Sequence, residues 1–361
     1  MQIVPRGHWD RLALILLVVL AASTYVTAPV AARLVEDKLE SPALAGNLLG
    51  DPVQRAVSVY LPPQYDQEPA RRFPVVYLLH GFRAKNHVWT KPAAPGQGLN
   101  MQEMADTLIA RGRIQPLIIV MPDGSNAYGG SFYRNSSVTG NWEDFIRHDL
   151  VNYIDKTYRT IAQPAGRGLA GHSMGGYGAF LIGMSHPEVF GAVYALSPAC
   201  LVFAEQFLKR QWQNLLAVAS LADREQFPQL DWRQQVVIAI GAAVAPNPGN
   251  PPWLFDHPLR IKDGQPVLDE TIWPRWLQSD PHSLAEAGRE NLMRLRLAFD
   301  MGLADSLLPQ SRQMHGKLAQ LGIPHVYEEY EGDHFNRLPE RLRDRALPFF
   351  SNYFQEMFQK P

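Results

Sequence analysis

The chain has 361 residues, of which 46% are hydrophobic and 19% charged, and its formal net charge is -1. That is enough apolar material for a large core, and the near-neutral balance excludes a general attraction to nucleic acid or to anionic membrane surfaces. The single cysteine, Cys200, excludes an intrachain disulfide and any cysteine-based metal site; its apolar neighbours, Leu196 to Val202, mark it as a small buried hydrophobe.

Residues 1–32 read as an export segment. Arg6 and Arg11 supply a positive start, Leu12 to Ala22 is an unbroken apolar run, and Val30-Ala31-Ala32 offers small residues for cleavage before Arg33. The run is short for a membrane span. Extended through Ala32 it could also serve as an uncleaved N-terminal membrane anchor. The product on either reading lies outside the cytoplasm, with residues 33–361 as the working domain.

Between Leu39 and Leu61 the sequence predicts short extended segments, with Val57, Val59 and Leu61 on one face. Pro74 to Leu79 is a continuous apolar run, the pattern of a strand covered on both faces, and it ends in His80-Gly81-Phe82-Arg83. A helix is expected over Leu99 to Arg111 and a strand over Leu117 to Met121. The loop after that strand, rich in Gly, Ser, Asn and Tyr, would lie on the functional rim of an open α/β sheet. Trp142 to Tyr158 is strongly helical, with Phe145, Leu150, Tyr153 and Ile154 as its core stripe.

Gly166 to Ala170 reads as a buried strand and Tyr177 to Met184 as a helix. Between them stands Gly171-His172-Ser173-Met174-Gly175. A serine on a tight strand-to-helix turn is a nucleophile elbow, where glycines permit the strained backbone. The turn exposes the Ser173 hydroxyl and sets the Met174 N–H at a helix N-terminus, where a developing oxyanion is stabilised. A second oxyanion donor belongs after a central strand upstream, which assigns the Phe82 N–H to it by position.

Val189 to Leu196 predicts another strand, after which regular alternation stops. Residues 201–290 carry helical polar stretches, a short strand candidate at Val236 to Ile240, and the Pro-rich loop Ala245 to Trp253. We read this region as a cap-like insertion over the pocket. Order resumes with a strand at Leu295 to Phe299, a helix at Gln310 to Leu321, a last strand at Pro324 to Glu329, and a terminal helical region from Arg337. Strand–helix alternation argues an α/β fold, a mostly parallel sheet with helices on both faces.

A serine nucleophile needs a histidine base and an acid to orient it, in the chain order Ser, Asp or Glu, His. Of the downstream histidines only His334, in Glu331-Gly332-Asp333-His334, follows the final strand. For the acid, Asp300, Asp305 and Asp333 compete; Asp305, in the loop after the penultimate strand, is preferred. This chemistry requires no metal or organic cofactor.

Tyr60-Leu61-Pro62, Tyr77 to Phe82, Trp142 to Ile146, Gly171 to Gly176 and Gly332-Asp333-His334 together resemble the esterase D-like family of α/β-hydrolases. That family includes feruloyl and acetyl xylan esterases, S-formylglutathione hydrolases and mycolyltransferases. The resemblance covers most of residues 55–200 and 295–350. It implies an oxyanion hole from the Phe82 and Met174 N–H groups, and it supports Asp305, because Gly302 to Leu307 looks like the family's G-x-x-D-x-L acid loop. Gly81-Phe82-Arg83-Ala84 is similar to mycolyltransferases, but those carry D-G where this chain has His80-Gly81. The expectation is therefore an exported serine esterase acting on a small-molecule, glycan or lipid ester, with acyl transfer to a sugar or lipid alcohol as the alternative and a non-catalytic binding protein third. Tyr128, Phe132, Tyr133, Trp142 and Trp253 are candidates to line an acyl pocket, though aromatic residues of an α/β protein more often fill its core. Oligomeric state leaves no mark in the sequence.

Overall fold

The computed structural model describes residues 1–2, 31–91 and 99–358; the expected export segment lies almost wholly outside the described residues. Among those described, no helix is long and apolar enough to cross a membrane.

Eight strands form the central sheet: β1 (Arg33–Glu40), β2 (Gln54–Leu61), β3 (Val75–Leu79), β4 (Ile118–Pro122), β5 (Arg167–His172), β6 (Ala192–Leu196), β7 (Arg296–Gly302) and β8 (Val326–Tyr330). Their spatial order is β1-β2-β4-β3-β5-β6-β7-β8. β2 runs antiparallel to both β1 and β4, and every pairing from β4 onward is parallel. The mostly parallel sheet is what the alternation of apolar runs predicts.

The two faces of β3 show why its run is continuously apolar. Val75, Tyr77 and Leu79 pack into one core with Tyr177 and Phe180 of the helix Met174–Ser185, whereas Val76 and Leu78 pack into the other with Met101, Leu108, Phe350 and Phe354. Alternate side chains of a strand point to opposite faces, so a strand buried on both must be apolar at every position.

One expected element is corrected. Val236 to Ile240 is not a strand but the middle of a helix, Trp232–Val244. Asp231 caps it, accepting from the Arg233 N–H, and with Gln234 it forms a capping box. Residues 235–244 are buried on all sides, so the helix shows no amphipathic stripe and its valine–isoleucine run imitates a strand. The rest of the insertion holds a helix at Leu208–Ala219, a hairpin of Leu259–Lys262 with Gln265–Leu268, and the irregular Pro-rich loop.

Candidate active site

β5 turns into the helix Met174–Ser185 at Ser173, whose φ of 58° and ψ of -115° lie where a side chain is rarely tolerated. The surrounding glycines make the turn possible. A Cβ at Gly171 would overlap the Gly175 carbonyl, and one at Gly175 would overlap the carbonyl of Leu79 on the neighbouring strand. The turn is held by Ser173 N–H donating to Leu196 O at 3.0 Å and by Tyr177 and Ala199 donating to Ser173 O at 2.9 and 3.0 Å.

The loops after β7 and β8 are joined along their backbones. Leu303 N–H donates to Tyr330 O at 2.8 Å and Ala304 N–H to Gly332 O at 2.9 Å. Gly302 lies so near Gly332 that a Cβ on it would overlap the Gly332 carbonyl. This contact brings Asp305 and His334 together. His334 Nδ1–H donates to Asp305 Oδ2 at 2.6 Å, and Ser173 Oγ–H donates to His334 Nε2 at 2.8 Å. The other Asp305 oxygen accepts the Leu307 N–H at 2.9 Å, and its side chain is buried.

The competing acids are occupied elsewhere. Asp300 lies inside β7, fully buried, where its oxygens accept from Tyr194, Arg341 and the Ser197 N–H. Burial pushes its carboxyl upward while the Arg341 charge opposes that push. Asp333 caps the turn that carries His334, accepting from the Phe335 and Asn336 N–H groups at 2.8 Å each.

The expected oxyanion donors flank the serine. A Cβ on Gly81 would sit 3.4 Å from Ser173 Cβ, so the Gly81–Phe82 peptide lies against that serine. Met174 opens its helix, and the first N–H groups of a helix have no intrahelical acceptor. Gly129 and Gly130 pack onto these two residues; the Arg83 N–H donates to Gly129 O at 2.8 Å, and a Cβ on Gly130 would overlap Met174 Sδ.

The family model described as "Putative esterase" matches residues 52–337. The chain belongs to the Esterase family. A protein named esterase in Mycobacterium tuberculosis (strain ATCC 25618 / H37Rv) is 32% identical over 299 residues, spanning 80% of this chain and 54% of that protein. This chain thus spans about half the length of the curated relatives it matches over most of its own. An endo-1,4-beta-xylanase/feruloyl esterase of Xylanibacter ruminicola is 36% identical over 142 residues, 38% of this chain and 18% of that protein. Among solved structures, a ferulic acid esterase aligns with a TM-score of 0.60 and 22% identity over 90% of this chain and 99% of its own. The fluorophosphonate-binding serine hydrolase F of Staphylococcus aureus aligns at 0.59 and 17% over 89% and 99%. These two likenesses establish the shared α/β-hydrolase fold.

In this Esterase-family chain Ser173 opens into a mostly apolar cavity of about 600 Å³. Of the five aromatic residues named from sequence, only Phe132 lines it. Tyr128, Tyr133, Trp142 and Trp253 are buried in the core, Trp142 donating to Thr139 O at 2.7 Å and Tyr133 to His80 O at 3.1 Å. The insertion does contribute to the wall, through Phe207, Arg210, Trp232 and Val236. Cys200 lines it too, and burial pushes its thiol up to about 12, which keeps it protonated.

Two further histidines bear on the site without an expected role. His172 Nε2–H donates to the His334 carbonyl at 2.8 Å. His80, fully buried, accepts the Gly124 N–H at Nε2, 2.8 Å, and therefore donates from Nδ1 to the Gly81 carbonyl, also at 2.8 Å. Only the fold reveals these partners, because each is a main-chain group.

Proposed function

We propose that the chain is a serine esterase that cleaves carboxylic esters through an acyl-enzyme on Ser173. The observation that carries this reading is the unbroken hydrogen-bonded series from Ser173 Oγ through the His334 ring to the buried Asp305 carboxylate. In this mechanism Ser173 Oγ attacks the ester carbonyl as its proton passes to His334 Nε2. Asp305 holds the imidazole in the tautomer with hydrogen on Nδ1 and stabilises the imidazolium. The Phe82 and Met174 N–H groups receive the oxyanion, each donor contributing about 3 kcal/mol. His334 then gives its proton to the leaving alcohol, and water, activated by the same ring, releases the acid.

The mostly apolar cavity beside Ser173 favours an apolar or aromatic acyl group, which accords with relatives named for ferulic acid esters. The apolar run at Leu12 to Ala22 further supports action outside the cytoplasm; fractionation of cells expressing the full chain tests this, and activity confined to the cytoplasm would contradict it.

The direct test is hydrolysis of p-nitrophenyl acyl esters by residues 33–361 beside the Ser173→Ala variant. The reading predicts turnover by the parent and none above background by a folded variant. A folded parent inert toward short and long acyl chains would contradict it.

A further inference from the structure

The cavity at Ser173 has a neighbour along the same rim of the sheet. A second cavity, of about 790 Å³, is lined by residues of β1, β2 and the loop after β4, with Phe227 and Gln235 of the insertion opposite. Arg83 and Ala84, which directly follow Phe82, line both cavities. The helix Trp232–Val244 also serves both, Trp232 and Val236 facing the serine and Gln235 the second cavity. In open α/β sheets ligands lie beyond the carboxyl ends of the strands. A substrate that reacts at Ser173 and extends past Arg83 therefore enters this groove.

The two cavities differ in chemistry. The first is mostly apolar, whereas the second exposes Lys38, Arg83 and Lys85. Among the described residues none of these three cations has a carboxylate oxygen within 4.0 Å. Two acids also line the groove. Asp123 is committed to the buried Arg55 at 3.2 Å, so that pair cancels. Asp51 accepts the Ala127 N–H at 3.2 Å, and burial pushes its carboxyl upward. Three unpaired cations against the one remaining acid leave the groove positive, on a chain whose net charge is -1. A concave wall of one sign concentrates ligands of the other.

We propose that this groove holds the alcohol part of the ester and that this part is an anion-bearing polyol, while the acyl group occupies the apolar cavity. The proposal rests on the serine esterase reading. It gives the two walls separate tasks: the apolar cavity selects the acyl group, and Lys38, Arg83 and Lys85 select the alcohol by charge. The anion could be a sugar carboxylate or a phosphate, and substrates distinguish them.

The experiment compares kcat/KM for two matched pairs with one acyl group: butyryl glucose against butyryl glucuronic acid, and butyryl glycerol against butyryl glycerol phosphate. p-Nitrophenyl butyrate monitors the esterase reading separately. At about 0.01 M salt the parent should prefer at least one anionic ester over its neutral counterpart by about tenfold, and about 0.5 M salt should abolish the preference. The Lys38→Gln/Lys85→Gln variant should bring the ratio toward one. A preference only for the glucuronic ester identifies a sugar acid, and one only for the glycerol phosphate ester identifies a phosphate. Equal or poorer turnover of both anionic esters overturns the proposal, as does a preference that survives the double substitution. If p-nitrophenyl butyrate is cleaved and none of the four esters is, the groove proposal fails alone. If nothing is cleaved, the esterase reading fails and the proposal with it.

Discussion

The ring of His172 lies against that of His334, centroids 4.8 Å apart, and its Nε2–H donates to the His334 main-chain oxygen at 2.8 Å. The residue beside Ser173 thus anchors the residue that, in the proposed mechanism, takes the Ser173 proton. A near-attack geometry tolerates little displacement of the base. We expect His172→Leu to lower kcat about tenfold with KM little changed, since the substituted side chain no longer fixes the loop. His172→Gln, which keeps an N–H donor, should recover part of the loss. Steady-state kinetics of the two variants checks this; equal kcat in parent and His172→Leu would contradict a positioning role.

The same histidine makes a prediction about acid. Burial, and then the nearby His334, push His172 down to about 3 from an ordinary value of 6.5. Between those values the unfolded chain binds a proton that the folded chain refuses, so stability falls as pH is lowered through that window. The slope from this group is at most about 1.4 kcal/mol per pH unit. Urea midpoints from about pH 7 to about pH 4 should decline less steeply in His172→Gln than in the parent. Parallel declines would contradict the assignment.

Asp305 and Asp333 flank the same histidine and should behave differently. Asp305→Asn removes the acceptor that fixes the His334 tautomer, and kcat should fall by about 10³- to 10⁴-fold without loss of fold. Asp333→Asn loses the charge but keeps an oxygen to cap the turn, and should stay within about tenfold of the parent. Activity together with thermal midpoints separates the two. A larger loss for Asp333→Asn would transfer the acid's role to it.

His80 offers a matching test on the oxyanion side. Its Nδ1–H holds the Gly81 carbonyl and so orients the peptide whose N–H belongs to Phe82. Replacing it by leucine frees that peptide and leaves the Gly124 N–H unpaired. We expect kcat to fall about tenfold with KM nearly constant, and the affinity for a boronic acid that mimics the tetrahedral intermediate to fall in proportion. Unchanged boronate affinity would contradict it.

Much of this site was legible in the sequence, for physical reasons. The elbow announces itself because Gly171 and Gly175 approach backbone too closely to carry a Cβ, and a central strand such as Val75–Leu79 must be apolar throughout because both faces are buried. The helix Trp232–Val244 was hidden by the same logic: buried on all sides around Val236 to Ile240, it loses the period that distinguishes helix from strand. The cap box at Asp231 and Gln234 was the one local sign. Asp300 competed for the acid's role in the sequence because its actual partner, Arg341, lies 41 positions away and leaves no local sign. The walls of the cavity were hidden too, because Phe207 and Trp232 come to line it only through the packing of the insertion.

Ser173 is proposed as the nucleophile, activated by His334. Incubation with a fluorophosphonate, followed by intact mass and peptide mapping, tests it most directly, because only an activated serine is phosphonylated at an appreciable rate. One adduct per chain is expected, located on Ser173, with a labelling rate cut by orders of magnitude in a folded His334→Ala variant. An adduct on another residue, or none on the folded parent, would contradict it.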